Sequence, residues 1–195
     1  MTEPGTKPGP PAPPPTLRLF IALYPPADVA ARMSEFTAGL SRARVRRVPA
    51  GQIHMTLLFL GDRPGAELDA IIAKIGAAAA GIGPITLAPH RVFTLPQRPP
   101  ARVVAHESDA SPNIHELYKR LVAAFPTLGD RPAHPTLLPH FTLARFRPNS
   151  NGPVMSSPAH LPPMKVGELR LVQSVLGPRG PTHSVLATVP LETVA

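Results

Sequence analysis

The spacing of apolar and polar positions divides the chain into short strands and a few helices. Leu17-Arg18-Leu19-Phe20-Ile21-Ala22-Leu23 is an apolar run rich in strand formers and bounded by prolines, which predicts a buried strand. From Ala27 to about Leu40, apolar Val29, Met33, Phe36 and Leu40 recur at helical spacing, with Asp28 as the candidate cap. Arg44 to Val48 reads as a short exposed strand, and Ile53 to Leu60 as a stronger one ended by Gly61-Asp62. A helix from Gly65 to Ala80 follows, carrying Leu68, Ile71, Ile72 and Ile75 on one face and stopped by Gly81 and Gly83.

The second half repeats the theme in a looser order. Strands are predicted near Ile85 to Phe93 and Arg102 to Glu107, then a helix from Ser111 to Ala124 with Ile114, Leu117, Leu121 and Val122 as its apolar stripe. His140 to Phe146, Val166 to Leu176 and Ser184 to Val189 are strand-like, and the Pro-, Ser- and Asn-rich stretch from Pro148 to Pro163 reads as a surface loop. Strand-rich halves with appended helices predict an α+β fold rather than a doubly wound parallel sheet. Residues 1–15 are Pro-rich and lack the apolar core of a signal peptide, so they read as a disordered tail, leaving 16–195 as one domain of packed lobes.

Composition narrows the function classes. The chain has no cysteine, which removes disulfides, thiol catalysis and zinc-thiolate sites and makes the cytoplasm the expected location. No apolar run reaches the ~20 residues of a membrane span. Twenty Lys and Arg against 12 Asp and Glu give a net charge of +8, which suits a polyanion such as nucleic acid, although an arginine-biased composition produces the same balance. Arg42, Arg44, Arg46 and Arg47 form the densest basic cluster; alternation would put the first three on one strand face, either as a groove for RNA phosphates or as a solvated face.

The chemistry is written in a repeated tetrad. His54-Met55-Thr56-Leu57 opens one predicted strand and His140-Phe141-Thr142-Leu143 another. Alternation puts His54 and Thr56 on one face and Met55, Leu57 and Phe59 on the other, and the same holds for His140 and Thr142. Two such strands facing each other would bring two imidazoles and two hydroxyls to one small anionic group. Histidine titrates near neutrality, so one ring can accept a proton while the other donates one, as hydrolysis of a cyclic phosphodiester requires. Threonine hydroxyls could hydrogen-bond the non-bridging oxygens. The remaining histidines, His90, His106, His115, His134, His160 and His183, match no metal-ligand spacing, and no nucleotide-binding glycine pattern occurs. No metal and no cofactor are therefore expected.

The extended motifs, His54-Met-Thr-Leu-Leu-Phe-Leu-Gly61 and His140-Phe-Thr-Leu-Ala-Arg145, resemble the two His-x-Thr-x motifs of the two-histidine phosphoesterases. Within these the chain is most similar to the RNA 2′,3′-cyclic phosphodiesterases, also called 2′-5′ RNA ligases. Arg18 to Leu23, Val48 to His54 and Leu176-Gly-Pro-Arg-Gly-Pro181 resemble the family's first strand, its approach to the first motif and its last hairpin. The resemblance implies a bilobal fold of two antiparallel-sheet lobes with pseudo-two-fold symmetry, outer helices and an active-site cleft between the lobes. It also implies His54 as proton donor and His140 as proton acceptor. Thr56 and Thr142 would contact phosphate, Arg145 would support it, and Phe20 would line the nucleoside side. Strict alternation puts Arg145 opposite His140, so that role needs a bulge or a strand end. Two departures bear on substrate preference: Arg47 stands where the family commonly has an aromatic residue, and Pro148 to Pro163 is too proline-rich for the helix expected there. The implied substrate is RNA with a 2′,3′-cyclic phosphate end, opened by a monomer to a 2′-phosphate, with 2′-5′ ligation as the reverse reaction. Alternatives are the same chemistry on another small cyclic phosphate, such as an ADP-ribose derivative, and a non-catalytic RNA-end-binding module.

Overall fold

A computed structural model describes residues 15–126, 136–150, 152–178 and 180–193. Thirteen segments follow one another along them: β1 Thr16–Leu23, α1 Ala27–Glu35, β2 Val45–Arg47, β3 Met55–Pro64, α2 Leu68–Ala79, β4 Ile85–Leu95, β5 Val103–Ala110, α3 Asn113–Ala124, β6 His140–Phe146, β7 Ser156–Pro158, β8 Met164–Val166, β9 Glu168–Val175 and β10 Thr182–Pro190. One sheet has the order β10-β9-β1-β3, the other β2-β6-β5-β4-β7 with β8 also paired to β4, and every pairing is antiparallel. The expected bilobal α+β architecture is the one observed. Of the Pro-rich tail, residues 1–14 lie outside the described residues, as does His134.

Strand β1 is central and buried on both faces from Leu19 to Leu23. Leu19, Ile21 and Leu23 enter the main core with Val29 and Met33 of α1, Ile71 and Ile75 of α2, Ile114, Leu117 and Leu121 of α3, and Phe141 and Leu143 of β6. Phe20 and Ala22 point the other way and pack on Val172 of β9. This is the period-2 alternation of a strand, with the second face covered by side chains of neighbouring strands in its own sheet instead of by water.

Several sequence expectations need correction. Helix α1 ends at Glu35, not near Leu40, because Ser34 Oγ bonds to Ala31 O and Thr37 Oγ1 bonds to Ser34 O, drawing side chains onto the helical carbonyls. Asp28 does not cap it; Pro26 occupies that position and the Asp28 carboxylate lies in the first turn, where it favours the helix dipole. Strand β3 runs past Gly61 to Pro64, with Gly61 in the left-handed region (φ 73°) beside a bulge at Leu60. The Val166 to Leu176 stretch is two strands: Gly167 separates β8 in one sheet from β9 in the other. The Pro148 to Pro163 segment is not simply a surface loop, since β7 pairs with β4, and buried Thr94 uses its hydroxyl to bond Pro153 O and Met155 N. No helix forms there among the described residues. Nor do Arg42 and Arg44 sit on a strand face: they lie in a turn tied to Arg147, whose Nε bonds Arg42 O and whose N–H bonds Arg44 O.

Candidate active site

Both tetrads carry the same backbone irregularity. In the β1–β3 pair, Ile21 faces Leu58 but Ala22 faces Thr56, leaving Leu57 as an extra residue. In the β5–β6 pair, Val104 faces Ala144 but Ala105 faces Thr142, leaving Leu143 extra. Each motif leucine is thus a bulge, and each bulge reverses the alternation behind it. Val103, Ala105 and Glu107 alternate along an unbroken β5 and pair with Arg145, Thr142 and His140, so those three side chains share one face. Arg145 therefore points with His140, because of the bulge at Leu143. On β1, Phe20 and Ala22 pair with Phe59 and Thr56, which places Phe59 on the cleft face. This corrects the alternation reading that sent Phe59 to the core; it is 63% exposed.

The two imidazoles are held by matching contacts. His54 Nδ1 lies 2.7 Å from the Gln52 carbonyl oxygen and His140 Nδ1 lies 2.8 Å from the Leu138 carbonyl oxygen. A carbonyl can only accept, so in each ring Nδ1–H donates and Nε2 is the nitrogen left for proton transfer. The rings differ in what surrounds them. His54 stacks on Phe20 at 4.8 Å between centroids, meets Tyr24 at 5.4 Å, and receives the edge of His183 at 5.1 Å. Arg170 lies over the outer face of Tyr24. Burial in this aromatic nest pushes the His54 pKa down to about 4, aided by the positive charges of His183, Arg145 and His140 and opposed by the Gln52 carbonyl. No such ring contacts surround His140 among the described residues.

Sequence reasoning placed His54, His140, Thr56, Thr142, Arg145 and Phe20 at one site; Phe20, His54 and Thr56 belong to the β1–β3 side and His140, Thr142 and Arg145 to β6, and the charges of Arg145 and His140 reach His54. Phe20 does not line a nucleoside surface, however: it is 3% exposed, and its ring is occupied by His54, Phe59 and His183. The accessible aromatic on that face is Phe59. Tyr24 and His183 were not anticipated. His183 comes from β10, where its pairing with Ser174 puts it across the sheet from Phe20, and burial followed by the charge of Arg145 lowers its pKa. No spacing in the sequence announces that neighbour, because the strand order that creates it is non-local. Arg47 also has a different place, bonding Ala38 O and Leu40 O as a staple on the turn after α1. His106 is a buried structural ring, with Nε2 2.6 Å from Ala159 O. Among the described residues no three His, Asp or Glu side chains converge as a metal ion would require, and no helix is long and apolar enough to cross a membrane.

Two lobes that each present a bulged His-x-Thr-Leu strand to a shared cleft define a two-histidine phosphoesterase architecture. The profile of the 2′-5′ RNA ligase superfamily matches residues 25–173, and the chain belongs to that family. It is 29% identical over 188 residues to an RNA 2′,3′-cyclic phosphodiesterase of Thermus thermophilus, an alignment covering 87% of this chain and 88% of that one. The crystal structure of TT0787 from the same organism superposes with a TM-score of 0.80 at 28% identity, covering 91% of this chain and 99% of the other. Escherichia coli LigT, solved in complex with NADP+, gives a TM-score of 0.75 at 22% identity over 92% of this chain and all of its own.

Proposed function

We propose that the protein hydrolyses 2′,3′-cyclic phosphodiester ends of RNA to 2′-phosphomonoesters by paired histidine catalysis without a metal. The observation that carries this reading is the matched pair of rings whose Nδ1–H groups are engaged by backbone carbonyls, leaving two Nε2 atoms for the cleft. In the reaction, His140 takes a proton from water as it attacks phosphorus, and His54 returns one to the departing O3′. Thr56 and Thr142 hold the non-bridging oxygens, Arg145 balances their charge, and Phe59 offers its exposed ring to the nucleoside. With a 5′-hydroxyl of a second RNA end in place of water, the same steps form a 2′-5′ linkage: His140 takes the hydroxyl proton as its oxygen attacks the cyclic phosphorus, and His54 protonates the departing O3′. The curated Thermus relative, by its name, supports an RNA end as substrate.

The donor role places a condition on His54. With a pKa of about 4 the ring is neutral in the empty cleft at pH 7, so it must gain its proton as substrate binds. An anionic phosphodiester favours that gain, because its charge offsets the cationic neighbours that hold the pKa down. Purified protein treated with chelator should open adenosine 2′,3′-cyclic phosphate at an undiminished rate and release the 2′-phosphate. Loss of turnover restored by a divalent cation would overturn the reading, as would a 3′-phosphate product.

A further inference from the structure

The basic cluster that the sequence presents as one feature separates in three dimensions. Arg47 turns onto the carbonyls after α1, and Arg42 and Arg44 occupy the turn bound by Arg147. Arg46 alone shares the cleft face, because it is the direct cross-strand partner of Arg145 in the β2–β6 pair. Partners of this kind have Cβ atoms about 5 Å apart, and like charges there repel. The repulsion is felt: desolvation on the cleft side, and then the charge of Arg46, disfavour the Arg145 cation, though a guanidinium stays charged at any physiological pH. Arg145 in turn acts on His54 and His183, so a line of positive groups runs from the imidazoles outward to Arg46.

The opposite lobe makes room for the end of that line. The Arg46 guanidinium packs over Gly180 in the β9–β10 hairpin, where φ is 111° and a Cβ would collide with it. A side chain at position 180 would drive Arg46 away from the cleft mouth. Two arginines at directly paired positions, outward of the imidazoles, suit the forked recognition of a second phosphate, which would also relieve their mutual repulsion.

Resting on the function proposed above, we propose that Arg46, with Arg145 between it and the imidazoles, forms a second anion subsite that takes the 5′-phosphate of the terminal nucleotide. The protein would then select cyclic ends of a phosphorylated or longer chain over a bare cyclic nucleoside phosphate. The substrate class is an oligonucleotide end, recognised by its backbone and not by its bases.

The test compares adenosine 2′,3′-cyclic phosphate with its 5′-phosphorylated form, using wild type, Arg46→Gln and Arg46→Lys. Wild type should favour the 5′-phosphorylated compound at least tenfold in kcat/KM. Arg46→Gln should shrink that preference below threefold, and Arg46→Lys, which keeps the charge but loses the fork, should fall between. Equal wild-type rates on the two compounds would overturn the proposal, and so would an Arg46→Gln enzyme that slows on both by one factor and keeps its preference. Calorimetric binding of adenosine 2′-monophosphate and adenosine 2′,5′-bisphosphate reads the subsite without turnover. A protein that cleaves neither cyclic compound fails the proposed function; the bisphosphate-to-monophosphate affinity ratio, lost in Arg46→Gln or absent from the outset, still decides the subsite.

Discussion

The two motif strands use one backbone device in two environments. Both place a leucine bulge three residues after the histidine, both fix the ring through the carbonyl two residues before it, and both turn the residue at histidine-plus-five into the cleft. In the first lobe that last residue is Phe59 and the histidine is packed among Phe20, Tyr24 and His183; in the second it is Arg145 and the histidine lacks such a nest among the described residues. Identical local geometry therefore does not by itself set a proton affinity: the low pKa of His54 comes from what the first lobe packs against the ring, not from the strand that holds it.

The strongest way to break the comparison is to remove each ring. His54→Ala and His140→Ala should each lower kcat by roughly 10²–10⁴-fold, and the double variant by far less than the product of the two, since either loss disables the shared step. Circular dichroism should stay native, and a folded single variant with near-normal turnover would end the two-histidine reading. A substrate with a weakly basic leaving group sharpens the assignment of roles. On a p-nitrophenyl nucleotide diester the departing oxygen needs no proton, so His54→Ala should come within about tenfold of wild type while His140→Ala keeps its full loss. The reverse pattern would exchange donor and acceptor.

Smaller effects concern the nest itself. The His54 value of about 4 should appear as one limb of the kcat/KM profile, which reports the free enzyme, and that limb should lie higher in the kcat profile, because bound phosphate raises the pKa. Because the rings act on one another, both limbs belong to the pair. Coincident limbs in the two profiles would remove substrate-coupled protonation. The least change is expected from His183→Gln, which takes away one of the charges that lower the His54 pKa and should move the free-enzyme limb upward by less than a unit. An unmoved limb would mean that His183 acts on His54 only by packing.

Much of this arrangement was legible in the chain, and the reasons for the rest are specific. The tetrads located both strands and both imidazoles because apolar alternation and histidine placement are local properties. The positions of the bulges were not visible, since Leu57-Leu58 and Leu143-Ala144 are apolar in either phase and period 2 cannot say which residue is supernumerary. That one ambiguity misdirected Phe59. Phe20 packs against His54, but its exposure depended on His183, brought from β10 by a non-local pairing. Arg42 to Arg47 looked uniform because charge is read along the chain while contacts are made across it.

Gly167 has a mechanical meaning beyond its place in the topology. A single residue joins β8 of one sheet to β9 of the other, and its carbonyl accepts a hydrogen bond from Leu191 N–H at 2.8 Å just after β10 ends. The linkage leaves almost no slack, so a force pulling the lobes apart is transmitted at once into the hydrogen-bond ladders of both sheets. Calorimetry should accordingly find one melting transition with equal van't Hoff and calorimetric enthalpies, and the spacing of the imidazoles should persist until the whole assembly gives way.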